Sequence, residues 1–487
     1  MGYIAGVDRE QQVLFPETLD EYVTADNAVR FIDAFVARLD LAALQFARTT
    51  PAQTGRPGYD PGDLLRLYLY GYMNRVRSSR ALEREAQRNV EVMWLLGKRH
   101  PDHKTISDFR RDHPDALKGV YRQFMQLCRK MELLGGSRVA VDGSKFIASN
   151  AREKNQTQGG AKKALAEEEK RIARYLAELD AQDKEDAKPE SQETLQQKLN
   201  AAMERRAGYE AVLAQMEESG ETQISLTDPE SRRMQVRGGG TAVCYNVQIA
   251  VDEKHHLICA YEVTNEVSDI QQLSGMAIAA KEALEVETLE VMSDKGYYDG
   301  KEVAACVAAN VTPMVPKTRS KQRHTGRYTN ESFRYDAEKD VYHCPAKQTL
   351  VRCGSENVEG RRVQYYANAG ACKGCPLRER CTERKDGRRI KRPVEAPLLE
   401  AMEQRLKANP GAWRQRMQLA EHPFGTIKRA MGQGYFLLRG LKKTRGEFAL
   451  TALSYNLKRA IRVLGVERLL DELAGWEPKP LRGAQLA

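Results

Sequence analysis

The sequence has no apolar run of about 18 residues, which is the length that a membrane-spanning helix requires. Its first segment, from Met1 to Phe15, is polar and lacks the hydrophobic stretch of a secretion signal. Neither membrane insertion nor export is therefore expected. These absences predict a cytoplasmic protein without a membrane partner.

Cysteine is also scarce, and the nine cysteines are an odd number that cannot all pair in disulfides within one chain. Four of them lie scattered in apolar stretches that look like helices or strands: Cys128, Cys244, Cys259 and Cys306. Disulfides persist mainly in oxidising compartments, and nothing in the sequence directs the chain to one. This cysteine usage favours reduced thiols.

Positive charge, by contrast, is in excess. The chain has 77 Lys and Arg residues against 67 Asp and Glu residues, which gives a net charge of +10 at pH 7. A hydrophobic fraction of 41% is close to that of globular proteins, and a length of 487 residues predicts two or three folded units. A cationic surface makes polyanions the favoured partners.

The segment from Asn27 to about Gln126 has apolar residues at helical spacing, as in AVRFIDAFVARL and DLLRLYLYGYM. Residues 1–130 are therefore predicted to form an all-helical domain. Within it, HKTISDFRRDH offers Thr105 or Ser107 as the N-cap of a basic helix, which would suit the recognition helix of a helix-turn-helix motif. An ordinary helical bundle with a solvated basic face is the alternative.

At Ser137 the pattern changes to that of a β-strand, and SRVAVDGSKF is predicted to run into a turn at Asp142-Gly143. Residues 137–160 would begin a sheet domain that continues over residues 221–320 as a β-hairpin, a helix and the strand TLEVMSD. Residues 161–220 predict an inserted hairpin of two long helices, with a solvated charged arm as the alternative. The predicted fold class is a mixed α/β sheet flanked by helices.

Two aspartates stand at predicted strand ends, because Asp142 closes VAVD and Asp294 closes TLEVMSD. Ligand sites of open α/β sheets gather at strand ends, so two acids on neighbouring strands can share a metal ion. Each can equally be an ordinary turn residue, since Asp before Gly or Lys is common in turns.

A third acid, Glu421, lies in RQRMQLAEHPFGTIKRAMG, a helical pattern that Pro423 and Gly425 interrupt. Positive charges near it in the sequence would suit phosphate groups beside a metal ligand. These are Arg414, Arg416, Lys428 and Arg429. The alternative is a basic surface helix with one ion-paired glutamate.

Four further cysteines occur in HCP and CKGCPLRERC: Cys344, Cys372, Cys375 and Cys381. Four thiolates suit one tetrahedral zinc ion, although Cys353 or His343 can replace one ligand and free reduced cysteines are the alternative. Residues 321–395 are therefore predicted to be a small zinc-ribbon-like insertion. Its positive charge fits contact with DNA and includes Arg378, Arg380, Arg384, Lys385, Arg388 and Arg389.

Several motifs, in this order, resemble the DDE transposases of bacterial insertion sequences. They are YDPGDLLRLYLYGYMNRVRSSRALEREA, VAVDGSKFIASNA, YNVQIAVDEKHHLI followed by EVTNEVSDIQQL, SDKGYYDG and EHPFGTIKRAMG. The resemblance extends over most of the chain. It implies a ribonuclease H-like catalytic core, and similar cysteine-rich insertions occur in the family.

The resemblance further implies that Asp142, Asp294 and Glu421 are the catalytic triad. They would hold two Mg²⁺ or Mn²⁺ ions about 3.5 to 4 Å apart, with Asp142 bridging the two. The C-terminal helices of the core, residues 396–470, would carry Glu421, and residues 471–487 would form a tail.

Other polar residues near the triad are expected to support it. Lys145 and Lys428 would bind phosphates, by analogy with the family and by their charge. Asn265 and Asp269 would lie just outside the metal ligands.

The implied function is DNA cleavage and strand transfer of an insertion sequence, in the bacterial cytoplasm and at the nucleoid when bound to DNA. The N-terminal helices would bind the terminal inverted repeats of double-stranded DNA, and the core would join the cut strands to target DNA. A homodimer on DNA is expected because two element ends must be held together. The rival functions are a nuclease without strand transfer and a zinc-containing DNA-binding regulator, such as an inactive transposase derivative.

Overall fold

The computed structural model describes residues 17–50, 54, 57–151, 154–182, 189–236, 238–317, 326–358 and 361–480. Parts of the predicted regions lie outside the described residues. They are 1–16, 51–53 and 55–56 of the helical domain, 152–153, 237 and 318–320 of the catalytic core, 183–188 of the helical hairpin, 321–325 and 359–360 of the insertion, and 481–487 of the tail.

The N-terminal part is helical. Its helices are α1 (Ala28–Ala37), α2 (Pro61–Met73), α3 (Ser79–Arg88), α4 (Val90–Leu96), α5 (His103–Asp112) and α6 (Pro114–Lys130). The local sequence explains several of their ends. Asp60 caps α2 and Pro61 occupies its first turn, while Gly97 ends α4 in the left-handed conformation, at φ 53°.

Helix α5 begins earlier than the sequence predicted. Its N-cap is Asp102, whose Oδ1 accepts hydrogen bonds from the backbone N–H groups of Lys104 and Thr105, both at 2.9 Å. The prediction of Thr105 or Ser107 as the N-cap is therefore wrong. Aspartate is among the preferred N-cap residues, and here it satisfies two N–H groups that the helix leaves without a partner.

The arginines of α5 are used within the protein. Arg110 is buried and donates hydrogen bonds to the Tyr72 hydroxyl at 3.0 Å and to the Arg77 carbonyl at 3.2 Å. Arg111 forms ion pairs with Asp108 at 2.6 Å and Asp112 at 2.7 Å. Arg110 therefore serves the buried interior, whereas Arg111 lies at the surface.

A mixed sheet forms the centre of the described structure. Its strands are β1 (Arg138–Ile147), β4 (Arg232–Gln235), β5 (Thr241–Asp252), β6 (Ile258–Thr264), β7 (Leu289–Met292) and β8 (Val311–Met314), in the order β4-β5-β1-β7-β8, with β6 also pairing with β5. Strand β1 is antiparallel to β5 and parallel to β7, and β7 is parallel to β8. The helices α9 (Leu273–Leu284) and α10 (Gly300–Ala308) connect β6, β7 and β8.

Strand β1 is longer than predicted. Its antiparallel pairing with β5 continues to Ile147, opposite Cys244, so the expected turn at Asp142-Gly143 does not exist. The parallel pairing with β7 stops at Ala140, opposite Met292. Asp142 therefore lies in the middle of a strand, but at the point where that strand has lost its neighbour on one side.

A helical hairpin is inserted between β1 and β5. The short strands β2 (Asn155–Thr157) and β3 (Gln223–Ser225) pair at its base, and α7 (Gln158–Gln182) packs along α8 (Pro189–Ser219). Ile172 and Leu199 form part of its small core. A buried carboxylate, Glu168, forms ion pairs with Arg171 at 2.9 Å and Arg205 at 3.1 Å. The charged sequence is thus a packed hairpin where it is described.

The cysteine-rich insertion contains a second sheet, which is antiparallel. Its order is β13-β12-β11-β10-β9, with the bounds β9 (Arg334–Asp336), β10 (Val341–His343), β11 (Thr349–Val358), β12 (Arg361–Ala367) and β13 (Arg389–Pro393). Two short helices, α11 (Ala369–Lys373) and α12 (Arg378–Cys381), lie between β12 and β13. Phe333, Tyr342 and Tyr366 belong to its own buried core.

The C-terminal helices are α13 (Ala396–Ala408), α14 (Ala412–Gly425), α15 (Leu441–Leu464) and α16 (Val466–Ala474). Pro423 does not end α14, because the chain continues directly into a π-helical turn over Thr426–Ala430. Helix α15 packs against α2 and α6, so the two ends of the chain share one core. None of the described helices is long and apolar enough to span a membrane.

Candidate active site

Asp142 and Asp294 meet at one edge of the central sheet. Strands β1 and β7 are neighbours, and their register pairs Ala140 with Met292. Two residues further along each strand direction stand Asp142 and Asp294. The Oδ1 atom of Asp294 accepts a hydrogen bond from the backbone N–H of Gly296 at 2.8 Å, which fixes the turn that follows β7. The parallel pairing therefore brings the two carboxylates together.

Asp142 is a carboxylate whose pKa is raised by its surroundings. Burial raises its pKa to about 6, and the nearby charges of Asp294 and Asp269 add to that rise, while Arg416 opposes it. The Nη2 atom of Arg416 lies 2.8 Å from Asp142 Oδ1, and the Asp142 side chain is only 15% exposed. Two acids that repel each other in a partly dry site are a suitable donor set for a hard divalent cation.

Arg416 reaches Asp142 from helix α14, which packs on β1. The preceding residue, Gln415, accepts a hydrogen bond from Arg138 of β1 at 2.9 Å and so holds the helix close to the strand. Arg416 itself is buried. Of the four positive charges expected around Glu421, it is the one that contacts an acid of the predicted triad.

Glu421 lies apart from the two aspartates. It is an exposed residue of α14, five positions after Arg416, and thus about 140° further around the helix. The next residue, His422, is anchored by a 3.0 Å contact between its Nδ1 and the Tyr455 hydroxyl. Within the described residues, no group of three or more His, Cys, Asp or Glu side chains has metal-binding geometry. The structure brings Asp142 and Asp294 together, but not Glu421.

A polar network lies on the opposite face of β1. Side chains alternate along a strand, so Gly143 and Lys145 face away from Asp142, and their partners on β5 are Gln248 and Asn246. Both amides donate to Asp269 Oδ1, Asn246 at 2.7 Å and Gln248 at 2.8 Å. Lys145 Nζ lies 3.3 Å from the same oxygen. The expected phosphate ligand Lys145 is therefore part of a network behind the acids.

Three members of this network were not identified from the sequence: Tyr297, Gln248 and Asn246. Tyr297 is buried and donates a hydrogen bond to Gln248 Oε1. Gln248 is itself fully buried, like Asn246. An indication was available, because both amides interrupt the apolar run TAVCYNVQIAVD, and buried polar side chains need partners.

The two residues expected just outside the metal ligands differ. Asp269 contacts the network and acts electrostatically on Asp142. Asn265 instead donates a hydrogen bond to the Glu230 carbonyl at 3.1 Å. Asp269 is thus placed to support β1 at the site, whereas Asn265 holds a neighbouring loop.

The remaining basic candidates occupy different environments. Lys428 lies in the π-helical turn and donates hydrogen bonds to Ser144 Oγ at 2.6 Å and to the Lys145 carbonyl at 2.7 Å. It therefore ties the C-terminal end of α14 to β1. Arg414 and Arg429 are exposed.

The four predicted zinc ligands line one cavity of about 30 Å³, together with apolar residues such as Phe333, Leu350 and Leu377. They are Cys344, Cys372, Cys375 and Cys381. Burial raises the pKa of the Cys381 thiol, Arg388 opposes that rise, and the other three cysteines add to it. The thiols are neighbours, yet they are not arranged as a metal-binding set in the described structure.

The two alternative ligands lie elsewhere. Cys353 is exposed on β11 and its sulfur lies 3.5 Å from the Tyr365 carbonyl. His343 Nε2 lies 3.7 Å from Asp336 Oδ2. Neither residue lines the cysteine cavity.

Two family models match the chain. A transposase domain, DUF772, covers residues 17–112, and a transposase DDE domain covers residues 343–461. The first range contains α1 to α5, and the second contains the four clustered cysteines, α14 and most of α15. Asp142 and Asp294 lie outside both ranges.

Both models describe transposases, and this defines the class of the protein. Together with the ordered motifs of the sequence, they support a DDE transposase of the insertion-sequence type.

A solved structure that is similar to this chain is the cryo-EM structure of the piggyBac transposase synaptic complex with hairpin DNA. The identity is 8%, the match covers 94% of this chain and 87% of that chain, and the TM-score is 0.27. A likeness at this level supports no conclusion about the fold or the site. No curated protein matches the chain.

Proposed function

We propose that this protein catalyses metal-dependent DNA cleavage and strand transfer, with Asp142, Asp294 and Glu421 as its catalytic acids. The observation that carries the proposal is the pair of aspartates on the adjacent strands β1 and β7, each two residues beyond the last paired position. The pKa of one of them, Asp142, is raised to about 6 by burial and by its acidic neighbours. Perturbed carboxylates concentrated at a sheet edge are a common feature of catalytic sites.

The sheet supports a ribonuclease H-like core. Its strands β6, β5, β1, β7 and β8 are adjacent in that order, with the first three antiparallel to one another and the last three parallel. The family resemblance implies this core, and the acids stand on its central strand and on the parallel neighbour.

Asp142 and Asp294 would hold Mg²⁺ or Mn²⁺, since oxygen ligands with net negative charge suit these hard cations. Bound divalent ions would supply activation of the attacking water or 3′-hydroxyl and stabilisation of the leaving oxygen. In the protein, Arg416 would have to release Asp142 for this ligation, and Glu421 would have to approach the two aspartates. The resemblance supports the role of Glu421, which is exposed on the same helix as Arg416.

The basic residues near the acids fall into two groups, those that are exposed and those that bind other protein groups. Arg414 and Arg429 are exposed on and just after α14, which supports their assignment to DNA phosphates. Lys145 and Lys428 are engaged with protein groups, so we assign them first to positioning β1 and α14. Their contact with phosphate would require those bonds to break.

Double-stranded DNA is the proposed partner, with the N-terminal helices on the terminal inverted repeats and the core on target DNA. Two element ends must be joined in one event, which supports a homodimer on DNA, and the α7–α8 hairpin is a candidate for holding the two subunits. A protein acting on bacterial DNA would work in the cytoplasm.

The experiment uses the purified chain with Mg²⁺ and a labelled duplex that carries the ends of its source element. Wild type should cut and join strands, whereas Asp294→Asn should bind the duplex without cutting it. Asp471→Asn, a matched change at an exposed residue of α16, should retain activity. Cutting without joining would indicate the nuclease, and binding without cutting by wild type across several metals would indicate the DNA-binding regulator.

We also propose that Cys344, Cys372, Cys375 and Cys381 hold a structural zinc ion. Their common cavity supports this, because structural zinc is held by thiolates that converge on one point. The backbone N–H of Gln348 donates a hydrogen bond to Cys344 Sγ at 3.3 Å. We expect about one zinc per chain in wild type, loss of zinc in Cys375→Ser, and unchanged zinc in Cys353→Ser. Equal zinc in all three proteins would contradict the assignment.

A further inference from the structure

One face of the insertion sheet carries free positive charge around a tyrosine. On β13, Arg389 and Lys391 stand opposite Ala367 and Tyr365 of β12, so the four side chains share a face. The Arg389 guanidinium lies 4.9 Å from the Tyr365 ring centroid, and Lys391 Nζ lies 5.8 Å from it. Both cations are exposed.

A third cation belongs to the same surface. The pKa of Tyr365 is raised, first by its hydrogen bond to Glu356 at 2.7 Å, and Arg389 and Arg384 both act against that rise. Arg384 is exposed as well and lies close enough to act on the Tyr365 hydroxyl. We call Arg384, Arg389 and Lys391 the cationic face of the insertion.

Arg392, the next residue of β13, is a cation with a structural role. Arg392 points to the opposite face, is buried, and makes two hydrogen bonds to Glu400, one of them at 3.0 Å. Among the described residues, by contrast, no member of the cationic face forms an ion pair or a hydrogen bond through its charged group. Their charge is thus available to an external partner.

Two other arginines of the insertion, by contrast, are held by protein groups. Arg378 donates to the carbonyls of Cys372, Arg384 and Lys385, and Arg388 donates to the carbonyl of Cys381. These two arginines brace the cysteine cluster. The sequence analysis had grouped them with Arg384 and Arg389. The structure shows that Arg378 and Arg388 bind protein carbonyls, whereas Arg384 and Arg389 are exposed.

The insertion emerges beside the acids. Strand β8 is parallel to β7, and β7 to β1, so the carboxyl ends of all three strands lie at one edge of the sheet. The chain leaves β8 at Met314, forms the insertion, and returns through α13 to α14, which delivers Arg416 to Asp142. The described chain thus leaves the sheet for the insertion at the edge that carries Asp142 and Asp294.

We propose that the cationic face binds the phosphate backbone of duplex DNA that flanks the bond being cut, an inference that rests on the proposed function. Stacking on Tyr365 holds Arg389 in place while leaving N–H donors at the edge of its guanidinium group. Phosphate contacts position DNA without reading its sequence. The binding should therefore be insensitive to base sequence and sensitive to salt.

The test measures duplex affinity against salt concentration in an Asp294→Asn background, so that binding is separated from cutting. A plot of log affinity against log salt has a negative slope. Adding Arg389→Ala and Lys391→Ala should make that slope shallower by about 1.8, because two phosphate contacts at about 0.9 each are lost. Arg389→Lys with Lys391→Arg should keep the slope. Arg468→Ala with Lys479→Ala, exposed cations at the C-terminal end, should also keep it.

An unchanged slope in the Arg389→Ala, Lys391→Ala protein overturns the proposal, provided that its thermal unfolding midpoint matches that of the charge-retaining variant. An equal fall in the C-terminal control would also overturn it, because the effect would then be one of net charge alone. If the salt dependence changes as expected but wild type does not cut DNA, the proposed function is wrong and the cationic face is still a DNA-binding surface.

Discussion

Gly143 shows how closely the two faces of β1 depend on each other. A Cβ atom at this residue would lie 2.5 Å from Gln248 Nε2, 2.8 Å from Asp269 Oδ1 and 3.0 Å from the Tyr297 hydroxyl. These groups are hydrogen-bonded to one another and buried or half-buried, so they cannot move aside freely. Glycine at this position, without a side chain, allows the polar network to pack directly against the backbone next to Asp142.

We therefore expect Gly143→Ala to lower the free energy of unfolding by about 1–3 kcal/mol, as overpacking of a filled interior does. DNA cleavage should fall further than the loss of folded protein accounts for, because Asp142 would shift. Urea denaturation and cleavage rates would measure both effects. Gly159→Ala is the matched control: Gly159 is in helix α7 with open space around its Cβ position, so its stability should stay the same or rise slightly. Equal stability of both variants would contradict the argument.

The raised pKa of Asp142 has a consequence for metal binding. The folded protein keeps a proton on this carboxyl up to about pH 6, and a metal ion must displace it. Lowering the pH from 7 to 5 should therefore weaken Mn²⁺ binding, by about tenfold at one unit below the pKa. Calorimetric titration would measure the affinity. The Asp142→Asn protein should lose most of this pH dependence, and a wild-type affinity that is constant from pH 7 to 5 would refute the assignment.

Among the elements, β1 and α5 show where sequence patterns were sufficient and where they were not. Alternation correctly placed a strand at VAVD, but the Asp-Gly pair looked like a turn. The strand continues because β5, about a hundred residues later, pairs with it as far as Ile147. No local rule contains that pairing, because it depends on two segments separated by a helical hairpin.

The start of α5 depends on the residue that caps it, and this can be tested locally. Asp102→Ala should lower the free energy of unfolding by about 1 kcal/mol, because two backbone N–H groups lose their acceptor. Ser107→Ala, within the helix, should change it by a few tenths of that value. Chemical denaturation midpoints would compare the two variants. A larger loss in Ser107→Ala would mean that the helix begins later than described.

At the scale of the whole molecule, the site was predicted in part. Hydrophobic and β-strand patterns placed Asp142 and Asp294 at the ends of two strands. The structure shows that these strands are neighbours and that β1 continues beyond Asp142. Sequence patterns could not show that Arg416 forms an ion pair with Asp142, or that the Lys145 side chain lies on the other face of the sheet. Such facts depend on helix rotation and on the distant partner strand, which sequence periodicity does not specify.

The two ends of the chain are joined by a buried network that no local pattern indicated. Glu447 of α15 is fully buried, and its Oε1 lies 2.7 Å from Arg77 Nη2. The same carboxylate accepts the backbone N–H groups of Leu437 and Leu438, at 3.0 and 2.8 Å. Arg77 lies between α2 and α3, so the network joins the N-terminal helices to the segment that precedes α15.

That segment also reaches the strand that bears Asp142. The Ile147 N–H donates to the Gly434 carbonyl at 3.1 Å, and the Phe436 N–H donates to the Ile147 carbonyl at 2.8 Å. A change at Glu447 should therefore be felt at the end of β1. The N-terminal helices, the C-terminal helices and the catalytic strand are thus mechanically connected through a few residues.

Glu447→Ala should lower the free energy of unfolding by about 3–5 kcal/mol, because it leaves the buried Arg77 charge and two backbone N–H groups without their acceptor. Arg77→Ala should also be costly, and the double variant should cost less than the sum of the two single changes, since the stranded charge is gone. Denaturant unfolding of the four proteins would measure this coupling. In an exposed pair of the hairpin, Arg206 and Glu210, the same cycle should give a coupling of less than about 1 kcal/mol. If the buried pair behaves additively like the exposed one, the two ends of the chain are held together by apolar packing rather than by Glu447.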